Sequence, residues 1–147
     1  MQFSRILVAV DTSTLGTDVL GVADELARCT HAQVGLICVA DVRGVGVSET
    51  SPPVQVTSAK LRADAQGLLE SAARQLKHVP APLLLIREGM PDKELIAAAR
   101  DWHADLLIMG THGRTGMAHL LKGSTAESVL HHAPCPVLTV RVGSPTS

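Results

Sequence analysis

Four glycines lie close together in the second half of the chain, at intervals that suit a phosphate group. The stretch GTHGRTGMAHLLKGST, from Gly110 to Thr125, holds four of the chain's twelve glycines. Gly110 and Gly113 directly follow the apolar run LLIM, where absent side chains let backbone N–H groups approach a ligand. Gly123 and Ser124 stand where a helix is predicted to begin, and a helix N-terminus favours negative charge. The spacing therefore indicates a cradle for a phosphorylated ligand.

A structural interpretation of the same stretch stays open beside the chemical one. Ser124 and Glu127 have the spacing of a capping box, in which the serine accepts a hydrogen bond from the backbone N–H of the glutamate. The better-known phosphate motifs do not match. A P-loop needs its lysine after the glycine, whereas Lys122 precedes Gly123, and the stretch DTSTLG after the first apolar run lacks Gly-x-Gly-x-x-Gly. Neither a P-loop NTPase nor an NAD enzyme is supported.

A second polar group follows the first apolar run, at Asp11, Thr12 and Ser13. In open α/β sheets, ligands bind beyond the carboxyl ends of the strands, where the strand order reverses. Asp11 either caps the first helix or binds ribose hydroxyls or a phosphate-bound metal ion. Arg114, in the glycine-rich stretch, is either an exposed cation or a phosphate partner. These residues are the candidates for a site at one edge of the sheet.

Strands and helices are predicted to alternate along the chain. Near-continuous apolar runs, typical of strands buried on both faces, occur at 6–10, 34–39, 83–86, 106–109 and 136–140. Helical periodicity occupies 19–26, 61–76, 91–102 and 124–133. Alternation of this kind predicts a parallel sheet with helices on both faces, an open doubly wound α/β fold. We expect one domain over 1–147, with a long loop at 41–58 and a frayed tail at 142–147.

Composition narrows the class of protein. The 147 residues are 46% hydrophobic but only 1% aromatic, so the core must be aliphatic and a base-stacking platform is disfavoured. Thirteen basic against fourteen acidic residues give a net charge of -1, which disfavours nucleic acid as partner. No apolar stretch approaches the length of a membrane span. The odd, separated cysteines Cys29, Cys38 and Cys135 are expected to be small buried thiols of a cytoplasmic protein.

Four motifs in sequence order resemble the universal stress protein family, in particular its nucleotide-binding branch. The branch carries Gly, two residues, Gly, nine residues and Gly-Ser/Thr, which Gly110, Gly113, Gly123 and Ser124 reproduce without a gap. The other motifs are ILVAVDTS from Ile6, REGMPDKELIAAA from Arg87, and HAPCPVLTVR from His132. The resemblance covers nearly the whole chain. It implies a five-stranded sheet of order 3-2-1-4-5, the adenine nucleotide alpha-hydrolase-like fold.

The resemblance also implies an ATP site. The adenine would lie near Ala9, Val39 and Met109, and the ribose near Asp11 and Gly110, flanked by Thr12 and Ser13. The phosphates would run along the glycine-rich stretch, at His112, Gly113, Arg114, Gly123, Ser124 and Thr125, with any Mg²⁺ reaching Asp11 only through them. Val39 and Met109 would be apolar strand ends in either case. Two positions depart from the family pattern: Thr125 replaces an apolar residue and Cys38 replaces a histidine.

By resemblance, the chain is expected to be a non-enzymatic, ATP-binding regulator of the stress response, a homodimer joined through the last strand at Val137 to Arg141. We assign no catalytic residue. Two alternatives stay open: slow ATP hydrolysis or self-phosphorylation at Ser124 or Thr125, and an interaction module that binds cyclic AMP or no nucleotide. His112 has no partner for a metal site, and His131 and His132 suit the last turn of a helix.

Overall fold

Five strands alternate with four helices in the described part of the chain. The computed structural model describes residues 2–12, 14, 15, 18–41, 54–112 and 123–142, and at 54–58, 112, 123 and 124 it describes the backbone only. The strands are β1 (Arg5–Ala9), β2 (Gln33–Ala40), β3 (Leu83–Glu88), β4 (Leu106–His112) and β5 (Val137–Val142). The helices are α1 (Asp18–Thr30), α2 (Val54–Arg74), α3 (Pro91–Asp101) and α4 (Gly123–His132).

The five strands form one parallel sheet in the order β3-β2-β1-β4-β5, which confirms the expected fold. In register, Ile6 of β1 pairs with Val34 of β2 on one side and with Leu106 of β4 on the other. The order in which successive strands are added to the sheet therefore reverses between β1 and β4. Asp11 and the glycine-rich stretch follow these two central strands, at the carboxyl edge where ligands bind in such folds.

Each strand of the sheet's centre contributes alternate side chains to two aliphatic cores. Residues with even numbers in β1, such as Ile6 and Val8, are fully buried with those of α1 and α2. Residues with odd numbers, such as Leu7 and Ala9, are buried with those of α3 and α4. Burial on both faces explains why these strands are continuous apolar runs rather than alternating ones.

Helix α3 is positioned by its first and last residues. Pro91 occupies its first turn, which suits proline's fixed φ, and Leu95 and Ala99 on its inner face are fully buried, as expected. The helix ends at Trp102, whose indole packs over β2. A Cβ atom at Gly35 would lie 3.2 Å from Cζ3 of that indole, so a side chain at position 35 would force the ring aside.

Two expected boundaries are wrong. The loop expected at 41–58 ends earlier, because α2 already begins at Val54. The segment VQVT after Pro53 is rich in β-branched residues of low helix propensity, but it precedes the apolar stripe that carries α2 onto the sheet, and packing of that stripe extends the helix. Val142, which was expected in a frayed tail, belongs to β5 and pairs with His112. Residues 42–53 and 143–147 lie outside the described residues.

The cysteines divide by burial. Cys38 is 4% exposed on the α2 side of the sheet, whereas Cys29 is exposed at the end of α1 and Cys135 is half-buried, and all three are free thiols. The expectation of three buried thiols is therefore wrong for Cys29, which faces away from the apolar stripe of α1. No helix in the described part combines the length and the apolar character that crossing a membrane requires.

Candidate functional site

Asp11 is buried at the carboxyl edge of the sheet and is held by a tight turn. It is 4% exposed, and Thr14 beside it is 1% exposed. The Thr14 hydroxyl accepts a hydrogen bond from the Asp11 backbone N–H at 3.0 Å and donates one to Asp11 Oδ1 at 3.2 Å. The Thr14 N–H also donates to the Asp11 carbonyl at 3.1 Å. The Thr14 hydroxyl thus holds Oδ1 of the carboxylate, and the backbone hydrogen bond closes the turn.

Asp11 lies at the mouth of a narrow slot between the sheet and α3, which we call the α3 slot. It is lined by Ala9, Val10, Asp11, Ile37, Val39, Pro91 and Leu95. The two apolar residues predicted beside an adenine, Ala9 and Val39, thus lie in one slot with the predicted ribose partner. Aliphatic walls on both faces suit a flat, weakly polar ring, and one carboxylate at the mouth suits hydroxyl donors.

The α3 slot is narrow. Its volume is about 10 Å³, roughly that of one water-sized sphere. Two of its walls, Pro91 and Leu95, are on α3, and the rest belong to β2 or to β1 and the turn that follows it. A planar ring would need a wider slot, which a shift of α3 away from the sheet would provide.

Gly110 has a packing role that the sequence did not indicate. A Cβ atom at this position would lie 2.6 Å from Cγ2 of Val142 and 3.2 Å from Cγ2 of Val19. Both valines are on the α1 side of the sheet, opposite the face of Ala9 and Met109. The missing side chain therefore allows close packing of β4 with β5 and α1, and a ligand could meet Gly110 only through its backbone.

Helix α4 begins at Gly123, one residue before the expected start. Thr125 in its first turn is half-buried, and Ala126 and Val129 on its inner face are buried against α3. Farther along, the Ser128 hydroxyl donates a hydrogen bond to Asp92 Oδ2 of α3 at 2.7 Å. The helix start predicted to meet phosphates is thus attached to the helix that walls the α3 slot.

The structure brings some of the predicted site residues together and leaves others outside the described part. Met109 is fully buried in the same aliphatic core as Ala9 and Val39 but does not line the slot. Thr12 is exposed beside Asp11. Only the backbone is described at His112 and Ser124, and the predictions for Ser13, Gly113 and Arg114 lie outside the described residues.

Two wider clefts are present, and the first shares Asp11 and Val39 with the α3 slot. One of about 460 Å³ opens between the ends of β1 and β2 and helix α2, and Asp11, Thr12 and Cys38 line it together with Asp41 and Asp64. The other, about 720 Å³, crosses the amino edge of the sheet at Gln33 and Leu83. None of the predicted site residues lines the second cleft. Its size therefore does not make it the candidate site, since it lies at the edge opposite Asp11.

The described residues hold no cluster suited to a protein-bound metal ion. No group of three or more His, Cys, Asp or Glu side chains in the described ranges converges on one point. The thiol nearest the site, Cys38, is a poor nucleophile and metal ligand, because burial, aided by the charge of Asp11, raises its pKa to about 11.

Sequence reasoning did not assign three features of this edge to the site. Pro91 and Leu95 were expected in α3, but nothing in their spacing placed them opposite Val39. The turn of Asp11 with Thr14 had a sequence signal, since a hydroxyl residue three positions after an aspartate commonly bonds back to the backbone. The contact of Asp92 with Ser128 had none, because it depends on how α3 and α4 pack.

Comparisons with known proteins agree with this architecture. The model of the universal stress protein family matches residues 2–141. Universal stress protein A homolog 1 of Coxiella burnetii is 31% identical over 95% of this chain and 97% of its own length. Universal stress protein MJ0531 of Methanocaldococcus jannaschii is 29% identical over 95% of this chain and 82% of its own length.

Similarity to solved structures extends over the whole fold. The universal stress protein UspA from Lactobacillus plantarum superposes with a TM-score of 0.79, covers 96% of this chain and 99% of its own, and is 23% identical. At that identity the likeness concerns the fold, and the family match rests on the sequence. With its motifs, sheet order and family match over 140 residues in agreement, the chain belongs to the universal stress protein family.

Proposed function

We propose that this protein binds ATP at the carboxyl edge of its sheet and acts as a nucleotide-gated regulator without efficient catalysis. The adenine would occupy the α3 slot, the ribose would meet Asp11, and the phosphates would extend to the start of α4. Bound nucleotide would stabilise the folded state by mass action and would fix the surface around the glycine-rich stretch for a partner protein.

One observation favours this proposal over the alternative functions. Ala9 and Asp11, at the end of β1, and Val39, on the neighbouring strand β2, line one slot beside the reversal point of the sheet. The glycine spacing of the nucleotide-binding branch starts from the neighbouring strand, at Gly110, and ends at Gly123, where α4 begins. We infer that the slot, the carboxylate and the helix start receive the adenine, the ribose and the phosphates, respectively.

The described residues fit Mg²⁺ only as a companion of the phosphates. Asp11 is the single carboxylate lining the α3 slot, and Mg²⁺ in proteins is commonly held by one or two carboxylates together with substrate phosphates and water. When bound, the ion would neutralise phosphate charge. Asp11 would meanwhile orient the ribose end through its fixed Oδ1, which Thr14 holds in place.

Cyclic AMP is a second candidate ligand. A universal stress protein solved in complex with cAMP shares this fold, with a TM-score of 0.67 and 21% identity over 97% of this chain. A cyclic phosphate would use the adenine slot and the amides after β4 but would not reach α4. The requirement for Gly123 therefore separates the two ligands.

Catalysis is the weaker proposal. Phosphoryl transfer needs a positioned nucleophile, a metal and groups that stabilise developing charge. Among the described residues lining the α3 slot, Asp11 is the single ionisable group. Slow hydrolysis or self-phosphorylation at Ser124 or Thr125 stays an alternative, which a turnover assay of the parent and of Asp11→Ala would test.

Homodimerisation through β5 and a cytoplasmic location complete the proposal. β5 is one edge of the sheet and pairs with β4 alone among the described strands, so its outer side offers backbone groups to a second copy. The three free thiols agree with a reducing compartment. Analytical ultracentrifugation should give a dimer at micromolar concentration, and a monomer alone would contradict the proposed interface.

Calorimetry with a matched pair of glycine variants tests the nucleotide site. Gly123→Val should abolish or greatly weaken ATP binding, because a side chain there would obstruct phosphates at the helix start. Gly67→Val in α2, where a Cβ atom would meet nothing within 4 Å, should bind like the parent. Mass spectrometry of the purified protein should detect adenine nucleotide. Equal ATP affinity of the Gly123 variant and the parent would overturn the proposal.

If Gly123→Val kept its affinity for cyclic AMP but lost ATP binding, the phosphates of ATP would reach α4 and the cyclic phosphate would not. If the parent protein bound neither nucleotide, the proposed nucleotide site would be wrong, although the family fold would stand. The first outcome thus tests where the phosphates lie, and the second tests whether the protein binds nucleotide at all.

A further inference from the structure

We propose that Asp92 and Ser128 are positioning residues that couple the α3 slot to the start of α4, so that adenine entry and phosphate binding occur together. This inference rests on the proposed ATP function. Asp92 belongs to the helix that walls the slot, and Ser128 belongs to the helix whose first residue would meet the phosphates. Neither side chain lines the slot.

The contact between them is short and partly buried. Ser128 Oγ donates to Asp92 Oδ2 at 2.7 Å, across 36 residues of sequence. This hydrogen bond holds the pKa of the Asp92 carboxyl below its usual value, although partial burial works against it. The carboxylate is therefore ionised at neutral pH, and hydrogen bonds to charged acceptors are stronger than those between neutral groups.

The ends of this bond lie close to the two halves of the site. Asp92 immediately follows Pro91, which lines the slot. Ser128 lies five residues after Gly123, about 7.5 Å along the helix axis. Beside the hydrogen bond, Val129 and Ala126 of α4 are buried in the same core as Leu95 and Ala98 of α3. Movement of the first turn of α3 would therefore be transmitted to α4.

The narrowness of the slot explains why the hydrogen bond between Asp92 and Ser128 would affect ligand binding. Because the slot holds about 10 Å³, adenine binding requires a wider slot, which movement of the first turn of α3 away from the sheet would provide. The bond from Asp92 then carries α4 with it, and the start of α4 reaches its phosphate-binding position only when the slot is filled. Coupling of this kind makes the two parts of one ligand reinforce each other's binding.

Adenosine and ATP separate this role from a purely structural one. Adenosine fills the slot without using the start of α4, whereas ATP uses both. Ser128→Ala should weaken ATP binding by about three- to tenfold, the scale of one lost hydrogen bond to a charged group, only part of which reaches the ligand. The affinity for adenosine should change less than twofold, as measured by calorimetry.

Two further variants control for helix propensity and for the hydroxyl itself. Ser71→Ala makes the same substitution in α2, where the serine accepts a hydrogen bond from Arg74, and it should leave both affinities unchanged. Ser128→Thr keeps a hydroxyl and should restore ATP binding to near the parent value. Asp92→Ala should resemble Ser128→Ala, and combining the two should cost little more than either alone, since each removes the same hydrogen bond.

The outcomes separate this inference from the function beneath it. If the parent binds ATP and Ser128→Ala binds it equally tightly, the coupling is overturned while the nucleotide site stands. If Ser128→Ala loses ATP and adenosine in equal proportion, the contact supports the fold rather than the coupling, and the inference is also overturned. If the parent binds neither ligand, the proposed function itself fails.

Discussion

Gly110 of β4 and Val142 of β5 approach so closely that no side chain fits at position 110. A Cβ atom there would lie 2.6 Å from Cγ2 of Val142, a separation at which one of the strands would have to shift. The neighbour is a short branched side chain on the strand that forms the sheet's edge. The glycine is therefore required by packing, whatever else its backbone binds.

Gly110→Ala should destabilise the protein by about 1–3 kcal/mol, the usual cost of overpacking a filled core. Val142→Ala removes the atom that the new Cβ would meet, so the double variant should recover part of the loss. Chemical denaturation of the four proteins checks this. Additive losses in the double variant would show that the two residues do not contact each other in solution.

ATP affinity of the same double variant separates packing from binding. If Gly110 meets the ligand only through its backbone, the double variant should bind ATP with nearly the parent affinity. A large loss of affinity with restored stability would instead show that the ligand approaches the position of the missing side chain.

Thr14 should affect both stability and nucleotide binding through Asp11. Thr14→Val removes the hydroxyl that bonds the Asp11 N–H and Oδ1, and it should cost about 1–3 kcal/mol of unfolding free energy. ATP affinity should fall because Asp11 loses a fixed orientation. Thr30→Val is the matched control, since its hydroxyl bonds the Leu26 carbonyl at 2.7 Å, at the end of α1 and away from the site.

In that comparison, Thr30→Val should leave ATP affinity unchanged, whatever its cost in stability. Equal effects of the two variants on ATP affinity would indicate that Asp11 needs no help from Thr14. Denaturant titration and calorimetry on the same preparations give both quantities.

Acid should weaken the fold through the contact between Asp24 and His78. Burial raises the pKa of Asp24, but hydrogen bonds from the backbone N–H and ring of His78, at 2.7 and 2.8 Å, outweigh this and lower it overall. A depressed folded pKa contributes stability that is fully present above the unfolded pKa, about 3.9, and is lost as pH falls through the folded value.

Asp24→Asn should therefore lower the unfolding free energy by about 1 kcal/mol at pH 7 and by less at pH 3. Asp64→Asn is the control, because its exposed carboxylate pairs only loosely with Lys60 at 3.7 Å. Denaturant titrations from pH 3 to pH 7 measure the difference. Parallel pH profiles for the parent and Asp24→Asn would contradict the assignment.

The cysteines should differ sharply in reactivity. With a pKa of about 11, about one Cys38 thiol in a thousand is ionised at pH 8, and the side chain is buried. Cys29 is exposed. Iodoacetamide at pH 8 should therefore modify Cys29 first and Cys38 only after unfolding, as peptide mass spectrometry would show. Early modification of Cys38 in the folded protein would mean that the α2 side of the site opens readily.

Sequence patterns predicted the elements better than their contacts. Runs such as ILVAV are apolar at every position because β1 is covered on both faces. The lack of alternation therefore identifies such a run as a strand buried on both faces. The start of α2 was missed because VQVT has low helix propensity and depends on packing farther along the helix. Local patterns cannot show such tertiary stabilisation.

The candidate site could likewise be predicted only in part from the sequence. Asp11, Ala9 and Val39 could be placed together because the ends of neighbouring parallel strands share one edge. The opposite wall could not, since the position of Leu95 over Val39 depends on the packing of α3 against the sheet. The packing of Gly110 against Val142 likewise appears only once β4 and β5 are paired in register.

Trp102 is a natural fluorescent reporter on the same face of the sheet as the α3 slot. It is the single tryptophan, and the chain has no tyrosine, so the near-ultraviolet emission comes almost wholly from this indole. The ring packs at Gly35, whereas Val39 of the slot lies four residues farther along β2, about 13 Å away. A nucleotide beside Val39 would therefore lie away from the ring. Any change in its fluorescence on ligand addition would therefore measure how far binding is transmitted through the protein.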